Sequence, residues 1–229
     1  MLDTFRFNII KYGATCGIMM LAEREGVDFF TKWANGEGVP KDEDITRSED
    51  SSIILEKSGA PDVVVVSGRQ IACSERIEVL ALATREKFND GTTISSAVSA
   101  AISANAVPVL AWGVGKWMFK RAKIVRSVID SFKGEQLFLG DSTLRPVFWR
   151  EPHAMVYAKT LGINILAGSD PLPPKFEERR VGQYGELANF SNIKFAEPLT
   201  EQISLVLRSS SLKRAGRRAG LCEFIQRMI

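Results

Sequence analysis

The sequence is poor in histidine and cysteine, since its 229 residues include one His and three Cys. A chain with the single histidine His153 cannot build a site with two or more His ligands, which excludes HExxH and facial-triad metal centres. Cys16, Cys73 and Cys222 are odd in number and far apart, so neither a disulfide framework nor a structural zinc site is expected. A reducing, cytoplasmic environment fits this composition best.

Long apolar runs are also missing. The longest, such as residues 62–67, fall far short of the roughly 20 residues that a membrane-spanning helix needs. Residues 1–11 mix charged and apolar side chains, which is not the pattern of a secretory signal. The 30 Lys and Arg nearly balance the 27 Asp and Glu, giving a net charge of +3. We therefore expect one soluble domain without a nucleic-acid partner.

What the sequence does contain is an alternation of short apolar segments and amphipathic segments. Strands are predicted at Val63–Val66, Ile77–Ala83, Val107–Ala111, Gln136–Leu139, Ile163–Ala167 and Ile193–Phe195. Helices are predicted at Phe5–Arg24, Thr93–Ala104, Ala122–Phe132, Glu151–Leu161 and Leu199–Leu207. This alternation is typical of parallel βαβ units. The predicted fold class is α/β, with parallel strands in a closed or nearly closed β/α barrel.

Composition divides the chain into a main domain, residues 1–207, and a basic C-terminal segment, residues 208–229. Within the main domain, residues 34–51 are polar and predict a surface loop or lid. The C-terminal segment carries six Lys and Arg against the single acid Glu223. Its apolar residues fall on one helical face, so it predicts a helix packed on the barrel, whose basic face is a possible contact for a protein partner.

The loops after the predicted strands are the candidate functional region, because working residues of parallel α/β folds follow the strand carboxyl ends. Four loops, residues 67–70, 112–117, 140–146 and 168–173, combine small residues or Trp with charged side chains. Their candidate site residues are Arg69, Gln70, Trp112, Lys116, Asp141, Arg145 and Asp170. If the strands are parallel, all four loops meet at one mouth.

Standard nucleotide and hydrolase motifs fail at these loops. A Walker A loop would need Gly at Leu110 and Ser or Thr at Trp117, and a dinucleotide motif would need Gly at Met118. A nucleophile elbow at Ser142 would need a second Gly two residues later, where Leu144 stands. A capping or packing role is expected for the lone histidine.

Four segments nevertheless resemble motifs of the PHP (polymerase and histidinol phosphatase) family, in the same order and with similar spacing. Gly26–Trp33 is similar to a strand ending in Thr-Asp-His, and Val63–Ile71 to an apolar strand ending in Gly-x-Glu-Ile. Asn105–Gly113 is similar to a strand ending in Ala-His-Pro, and Ile165–Leu172 to Ala-Gly-Ser-Asp-x-His. The resemblance covers roughly residues 10–175 and implies a distorted β/α barrel with a metal-dependent phosphoesterase site.

The departures from that family fall on its metal ligands. Lys32 and Trp33 replace Asp and His, Gln70 replaces Glu, Trp112 replaces His, and Leu172 replaces the last His. The family's opening His-x-His has no counterpart. Asp170 is the one compared ligand that matches, and a single carboxylate cannot hold two or three divalent ions. No metal or other cofactor is therefore expected.

Two functions remain open for a barrel mouth without metal ligands. The preferred interpretation is a binding or interaction module for a small anionic or phosphorylated ligand. The residues predicted to bind it are Lys32, Arg69, Gln70, Trp112, Lys116 and Arg145. The alternative is a phosphoesterase-like hydrolase with Asp170 or Asp141 as general base and Lys116 or Arg145 stabilising a developing anion. A mouth filled by Trp and Leu that binds nothing is a third outcome.

Overall fold

The computed structural model describes residues 1–60, 62–134, 137–172, 176–189, 194, 197–208 and 212–228. The first half of the chain contains α1 (Leu2–Lys11), β1 (Cys16–Met20), α2 (Phe29–Ala34), β2 (Asp44–Ser48), β3 (Ser52–Glu56), β4 (Asp62–Val66), β5 (Gly68–Ala72), β6 (Glu78–Leu82) and α3 (Ile94–Ser103). The second half contains β7 (Val107–Ala111), α4 (Lys120–Ser131), β8 (Phe138–Ser142), α5 (His153–Thr160), β9 (Ile165–Gly168), β10 (Tyr184–Leu187), α6 (Leu199–Arg208), β11 (Lys213–Gly216) and α7 (Leu221–Met228). The predicted strand at Ile193–Phe195 lies largely outside the described residues.

A four-stranded sheet with the order β1-β4-β3-β2 occupies the N-terminal part of the chain. β1 and β4 are parallel, whereas β3 is antiparallel to both β4 and β2. The predicted helix at Phe5–Arg24 is corrected here, because α1 ends at Lys11 and β1 follows it after Gly13, which has a φ of +72°. The surface loop or lid predicted at residues 34–51 is also revised, because it contains the edge strand β2.

A five-stranded sheet with the order β5-β6-β7-β8-β9 follows. β7, β8 and β9 are parallel and are connected by α4 and α5, as the βα alternation predicts. β5 and β6 are antiparallel to their neighbours, so the expectation of parallel strands throughout does not hold. A third, two-stranded sheet pairs β10 with β11 in antiparallel fashion. The α/β class is confirmed, with mixed parallel and antiparallel strands.

The two larger sheets share one buried core. This core contains side chains from both sheets and from α6: Ile54, Val64, Val66, Leu82, Val107, Val109, Phe138, Leu166, Leu199 and Ile203. Among the described strands, hydrogen bonding forms three separate sheets and no closed barrel. The two larger sheets meet at this shared core, and an isolated parallel bridge between Glu23 and Arg69 links β5 to the segment after β1.

Helices cover the outer face of each large sheet. α1 and α2 bury Phe5, Ile9 and Phe30 against β3 and β4. On the five-stranded sheet, α3, α4 and α5 bury a second apolar cluster that includes Val98, Ile129 and Met155. No described helix has the length and apolar character required to cross a bilayer.

The basic C-terminal segment does not form the single helix predicted for residues 208–229. Residues 213–216 form β11, and α7 begins at Leu221. The chain turns at Gly216, the last residue of β11, which has a φ of +80°. Only glycine fits this position, because a Cβ there would lie 1.9 Å from the Gln183 carbonyl oxygen. The segment therefore contributes a strand and a shorter helix to the region beside β9.

Candidate functional site

The carboxyl ends of β7, β8 and β9 bring three of the four predicted loops to one edge of the five-stranded sheet. The parallel register pairs Ala111 with Gly140 and Ser142 with Gly168. The Thr143 hydroxyl then donates to the Ser169 carbonyl at 2.5 Å, which ties the loops after β8 and β9 together. The fourth loop, residues 67–70, does not join them as a loop, because it lies mostly within β5.

Asp141, one of the two predicted general bases, is held in a buried ion pair. Arg145 donates to its two carboxylate oxygens at 2.7 and 2.6 Å, and the Tyr184 hydroxyl donates at 2.9 Å. Arg214 approaches the same carboxylate at 3.4 Å. Burial, followed by the charge of Asp141, raises the pKa of Tyr184 to about 12, so its hydroxyl remains a donor. The carboxylate oxygens of Asp141 have partners and no exposed surface, which suits a structural role, and its role as a general base stays a prediction.

Two predicted ligand-binding arginines are likewise held in buried contacts. Arg145 is 4% exposed, and besides Asp141 it donates to the Trp149 carbonyl at 3.1 Å. Arg69 is 8% exposed, pairs with Glu23 at 3.0 Å and donates to the Val27 carbonyl at 2.7 Å. Both side chains join segments of the fold, and neither extends toward solvent where an anion would enter. Their binding role stays a prediction, and it would require these buried contacts to open.

Lys32 and Gln70 lie apart from the other candidates. Lys32 is exposed on α2, with its ammonium 5.6 Å from the centre of the Phe29 ring. The segment that resembles a strand ending in Thr-Asp-His thus contains a helix, and the predicted approach of Lys32 to Asp170 is not seen among the contacts of either residue. Gln70 lies in β5, where its backbone N–H donates to the Glu23 carbonyl at 2.8 Å.

Asp170 lies beyond β9 in a recess that also holds Lys116. The backbone of Asp170 has a φ of +44°, a region that Asp tolerates better than most residues. Although the residue as a whole is exposed, crowding of its carboxyl by protein raises the pKa. A hydrogen bond from Ser142 and the charges of Arg227 and Lys116 oppose that rise. Lys116 itself pairs with Glu78 at 2.5 Å.

α7 closes one side of this recess with Arg227, a residue not singled out in the sequence. Its side chain is 2% exposed, pairs with Glu177 at 2.7 Å and donates to the Thr143 hydroxyl at 2.7 Å. A further bond of 3.0 Å reaches the carbonyl of Asp170. The sequence pattern of residues 208–229 predicts one amphipathic helix with its basic residues on the exposed face. It therefore does not indicate that Arg227 is buried in the recess.

Beside the recess lies an aromatic cleft of about 280 Å³. Three tryptophans line it: Trp112 at the end of β7, Trp117 in the next turn and Trp149 in the loop after β8. The Trp117 indole N–H donates to the Ala111 carbonyl at 3.1 Å, which fixes that ring. Trp112 and Trp149 meet edge to face with ring centres 6.0 Å apart. Of the predicted ligand-binding residues, only Trp112 lines this cleft.

Two side chains that can carry positive charge lie among the cleft residues, Arg126 from α4 and His153 from the first turn of α5. Arg126 pairs with Asp130 at 3.3 Å and stacks on the ring of Tyr157. The sequence assigns both residues to ordinary helix positions, since nothing in either helix pattern shows that α4 and α5 meet at the cleft. The clustering of Trp112 and Trp117 around a glycine turn was the available signal.

Metal ligands are not grouped in this region. In the described part of the chain, no set of three or more His, Cys, Asp and Glu side chains is placed to hold a metal ion. The chemistry that the arrangement offers comes from aromatic rings, guanidinium groups and one recessed carboxyl.

Comparison with known proteins shows likeness in fold alone. No protein-family model and no curated protein matches the chain. Among solved structures, PsfC from Pseudomonas syringae PB-5123 is similar over 94% of this chain and 82% of its own, with 12% identity and a TM-score of 0.58. The lesion-specific endonuclease PfuEndoQ from Pyrococcus furiosus is similar over 94% of this chain, with 14% identity and a TM-score of 0.54. The chain spans about half of that endonuclease, 54% of its length.

Proposed function

We propose that the chain is a divergent relative of the PHP family that binds a small anionic ligand with a planar body in the aromatic cleft. The observation that carries the proposal is the grouping of three tryptophans with Arg126 and His153 around one opening. The order of the family-like motifs in the sequence and a fold likeness over 94% of the chain support the relationship, whereas the first motif, which contains α2, does not contribute. The two larger sheets are interpreted as an opened form of the family's distorted barrel.

The cleft has the properties that a planar anion requires. Trp112 and Trp117 are 7% and 6% exposed, so a ligand reaches only a small part of each ring, and the half-buried Trp149 presents more. Contact of a flat ring with an aromatic side chain is favourable by about 0.5–1.5 kcal/mol per pair beyond the area buried. The Arg126 guanidinium supplies a permanent positive charge and several N–H donors for a phosphate or carboxylate. A volume near 280 Å³ is slightly below the usual range of ligand pockets, about 300–1,000 Å³, so the cleft has room for no more than one ring system. The proposed anion site thus lies at the loops after β7 and β8, with Trp112 as the one residue that it shares with the predicted binding set.

Tryptophan fluorescence tests this proposal directly. Uridine 5′-monophosphate (UMP) should quench the emission saturably, uridine should bind about tenfold more weakly, and inorganic phosphate alone should not quench. Trp149→Leu should abolish quenching by both uridine compounds, whereas Arg126→Met should remove the preference for UMP over uridine.

Arg24→Met is the matched control, because Arg24 is an exposed arginine that does not line the cleft. It should bind UMP like the wild type. Failure of both UMP and uridine to quench the wild-type protein, or equal loss of affinity in the control, would contradict the proposal.

The second candidate function is hydrolysis at the recess, and the specific observation in its favour is the raised pKa of Asp170 beside Ser142 and Lys116. A carboxyl whose pKa moves toward neutrality is better matched to proton transfer. Asp170 would take the proton of an attacking water as the water oxygen bonds to phosphorus. The ester P–O bond would break, with the leaving alcohol or phenol oxygen taking a proton from solvent, while Lys116 would stabilise charge on the phosphoryl oxygens. The fold likeness to an endonuclease also supports this candidate.

A phosphoesterase assay separates the two candidates. If the recess is catalytic, the protein hydrolyses p-nitrophenyl phosphate or its bis ester, and Asp170→Asn lowers the rate about 100-fold or more. Asn keeps the shape of the side chain and tolerates the positive φ at this position. Glu86→Gln, a change at an exposed acid, should retain the full rate. Absence of turnover in the wild type removes the hydrolase candidate for these substrates.

A further inference from the structure

α4 carries a stripe of positive charge that begins beside the aromatic cleft. Lys120, Lys123 and Arg126 are all exposed and stand three residues apart, a spacing that makes them neighbours on a helix surface. The helix holds four Lys and Arg against one acid, Asp130. Arg126 lines the cleft, so the stripe runs from the cleft toward the start of the helix. Over this span the helix rises about 9 Å.

An exposed aromatic ring stands at the same end of α4. Phe119, the residue before the helix, has a side chain that is 85% exposed. Its backbone has a φ of +55° and a ψ of −127°, which is a genuine outlier for a bulky residue. Neighbouring Met118 lines the cleft. Backbone strain of this kind concentrates at functional sites, and here it holds an aromatic ring in solvent where burial cannot stabilise it.

We propose that α4 and the aromatic cleft together bind single-stranded nucleic acid. One base enters the tryptophan cleft, a neighbouring base stacks on Phe119, and the phosphates between and beyond them contact Lys120, Lys123 and Arg126. A positively charged track beside aromatic stacking positions is the arrangement that single strands recognise. This inference rests on the proposed function, since it identifies the planar anion in the cleft as a nucleotide of a strand.

The structure favours a single strand over the other polyanions. Bases in a duplex are stacked and paired, so a base must be unpaired before it can enter a cleft of this size. An acidic peptide would contact the lysines and Arg126 but would leave the tryptophan walls and Phe119 without a role. The nearly balanced charge of the whole chain does not oppose binding, because the relevant charge is concentrated on one helix.

Fluorescence anisotropy with 5′-labelled dT12 and rU12 tests the inference. At least one strand should bind more than tenfold tighter than UMP binds in the quenching assay, since several phosphates contribute. Log K should fall with log salt concentration with a slope of about −2, as three phosphate contacts to a single strand predict. The comparison of dT12 with rU12 decides between DNA and RNA.

Two variants probe the parts of the surface outside the cleft. Lys123→Glu should weaken strand binding at least tenfold more than it weakens UMP binding, because it repels phosphates that UMP lacks. Phe119→Asn should weaken strand binding about tenfold, since Asn accepts the positive φ but removes the stacking ring. Lys41→Glu is the matched control, at an exposed lysine outside α4, and should bind the strand like the wild type.

The outcomes distinguish the strand-binding inference from the proposed binding of a small anion in the cleft, on which it rests. If UMP binds but dT12 and rU12 bind no more tightly than UMP, the strand inference is overturned and the cleft proposal stands. If neither UMP nor either strand binds, both fail. Equal affinity for a 12-base-pair duplex would overturn the assignment to single strands, and equally strong competition by poly-glutamate would indicate an acidic protein partner instead.

Discussion

Asp141 and Asp170 show how two similar residues acquire opposite environments. Both follow small residues near the end of a short apolar strand, so the sequence pattern predicts a catalytic role for each of them equally well. In the structure Asp141 lies within β8 and its carboxylate receives hydrogen bonds from Arg145 and Tyr184. Asp170 lies after β9, where crowding of its carboxyl by protein raises the pKa. The difference arises because Arg145 and Tyr184 pair with Asp141, whereas burial dominates at Asp170 and the charge of Arg227 only opposes it.

The Asp141 environment leads to a stability prediction. Asp141→Asn should lower the free energy of unfolding by about 3–5 kcal/mol, because it leaves the charge of Arg145 buried without a counterion. Equilibrium urea denaturation at neutral pH measures the change. Glu197→Gln is the control, because it removes one partner of the exposed pair between Lys194 and Glu197 and should cost less than about 1 kcal/mol. A loss below 1 kcal/mol for Asp141→Asn would show that the buried pair is not structurally important.

At the scale of elements, the sequence predicts best where the signals are local. The predicted helix at Thr93–Ala104 corresponds to α3 at Ile94–Ser103, and Thr93 caps it by accepting from the Ser96 N–H at 3.2 Å. The strand at Val107–Ala111 is confirmed with the same bounds as β7. In both cases the hydrophobic period and the flanking residues determine the element without help from distant contacts.

The predicted elements are wrong where contacts between residues distant in sequence determine the structure. The apolar run at residues 63–66 is followed by the polar residues 67–70, which predict a loop, yet most of them lie in β5, a strand of the other large sheet. The change occurs at Gly68, where a Cβ would lie 2.4 Å from the Leu21 carbonyl oxygen, so close approach of another segment selects glycine. A single sequence cannot show which segment makes that approach. The residues predicted as a binding loop, Arg69 and Gln70, are consequently part of a strand.

The sequence does not predict the aromatic cleft, because most of its lining residues are distant in sequence. Trp112 and Trp117 come from the end of β7 and its following turn, but Trp149, Arg126 and His153 come from segments that meet only in the folded chain. The sequence identified the loops after β7 and β8 as functional candidates and correctly placed them at one edge of a sheet. It could not show that aromatic side chains, and no carboxylate, would line the space between them.

At the scale of the whole molecule, the two large sheets depend on one another because they bury a common core. Ile203 of α6 is 2% exposed and belongs to this core together with Val64 of the four-stranded sheet and Val109 of the five-stranded sheet. Neither sheet can therefore lose its partner without exposing apolar surface to water. The parallel or antiparallel pairing of the strands could not be predicted, but a shared interior was implied by the expected barrel.

The shared core predicts one cooperative unfolding transition that a single substitution in α6 shifts as a unit. Ile203→Ala should cost about 2–5 kcal/mol in urea unfolding, because it leaves a cavity between the sheets. Leu205→Ala on the same helix should change stability by less than about 0.5 kcal/mol, since Leu205 is 64% exposed.

Trp33 packs beside the four-stranded sheet, whereas the other three tryptophans line the cleft at the five-stranded sheet. Fluorescence and circular dichroism should therefore give the same urea midpoint for the wild type, and they should also agree with each other for Trp33→Phe, whose fluorescence reports on the five-stranded sheet alone. Different midpoints from the two methods would mean that the sheets unfold independently.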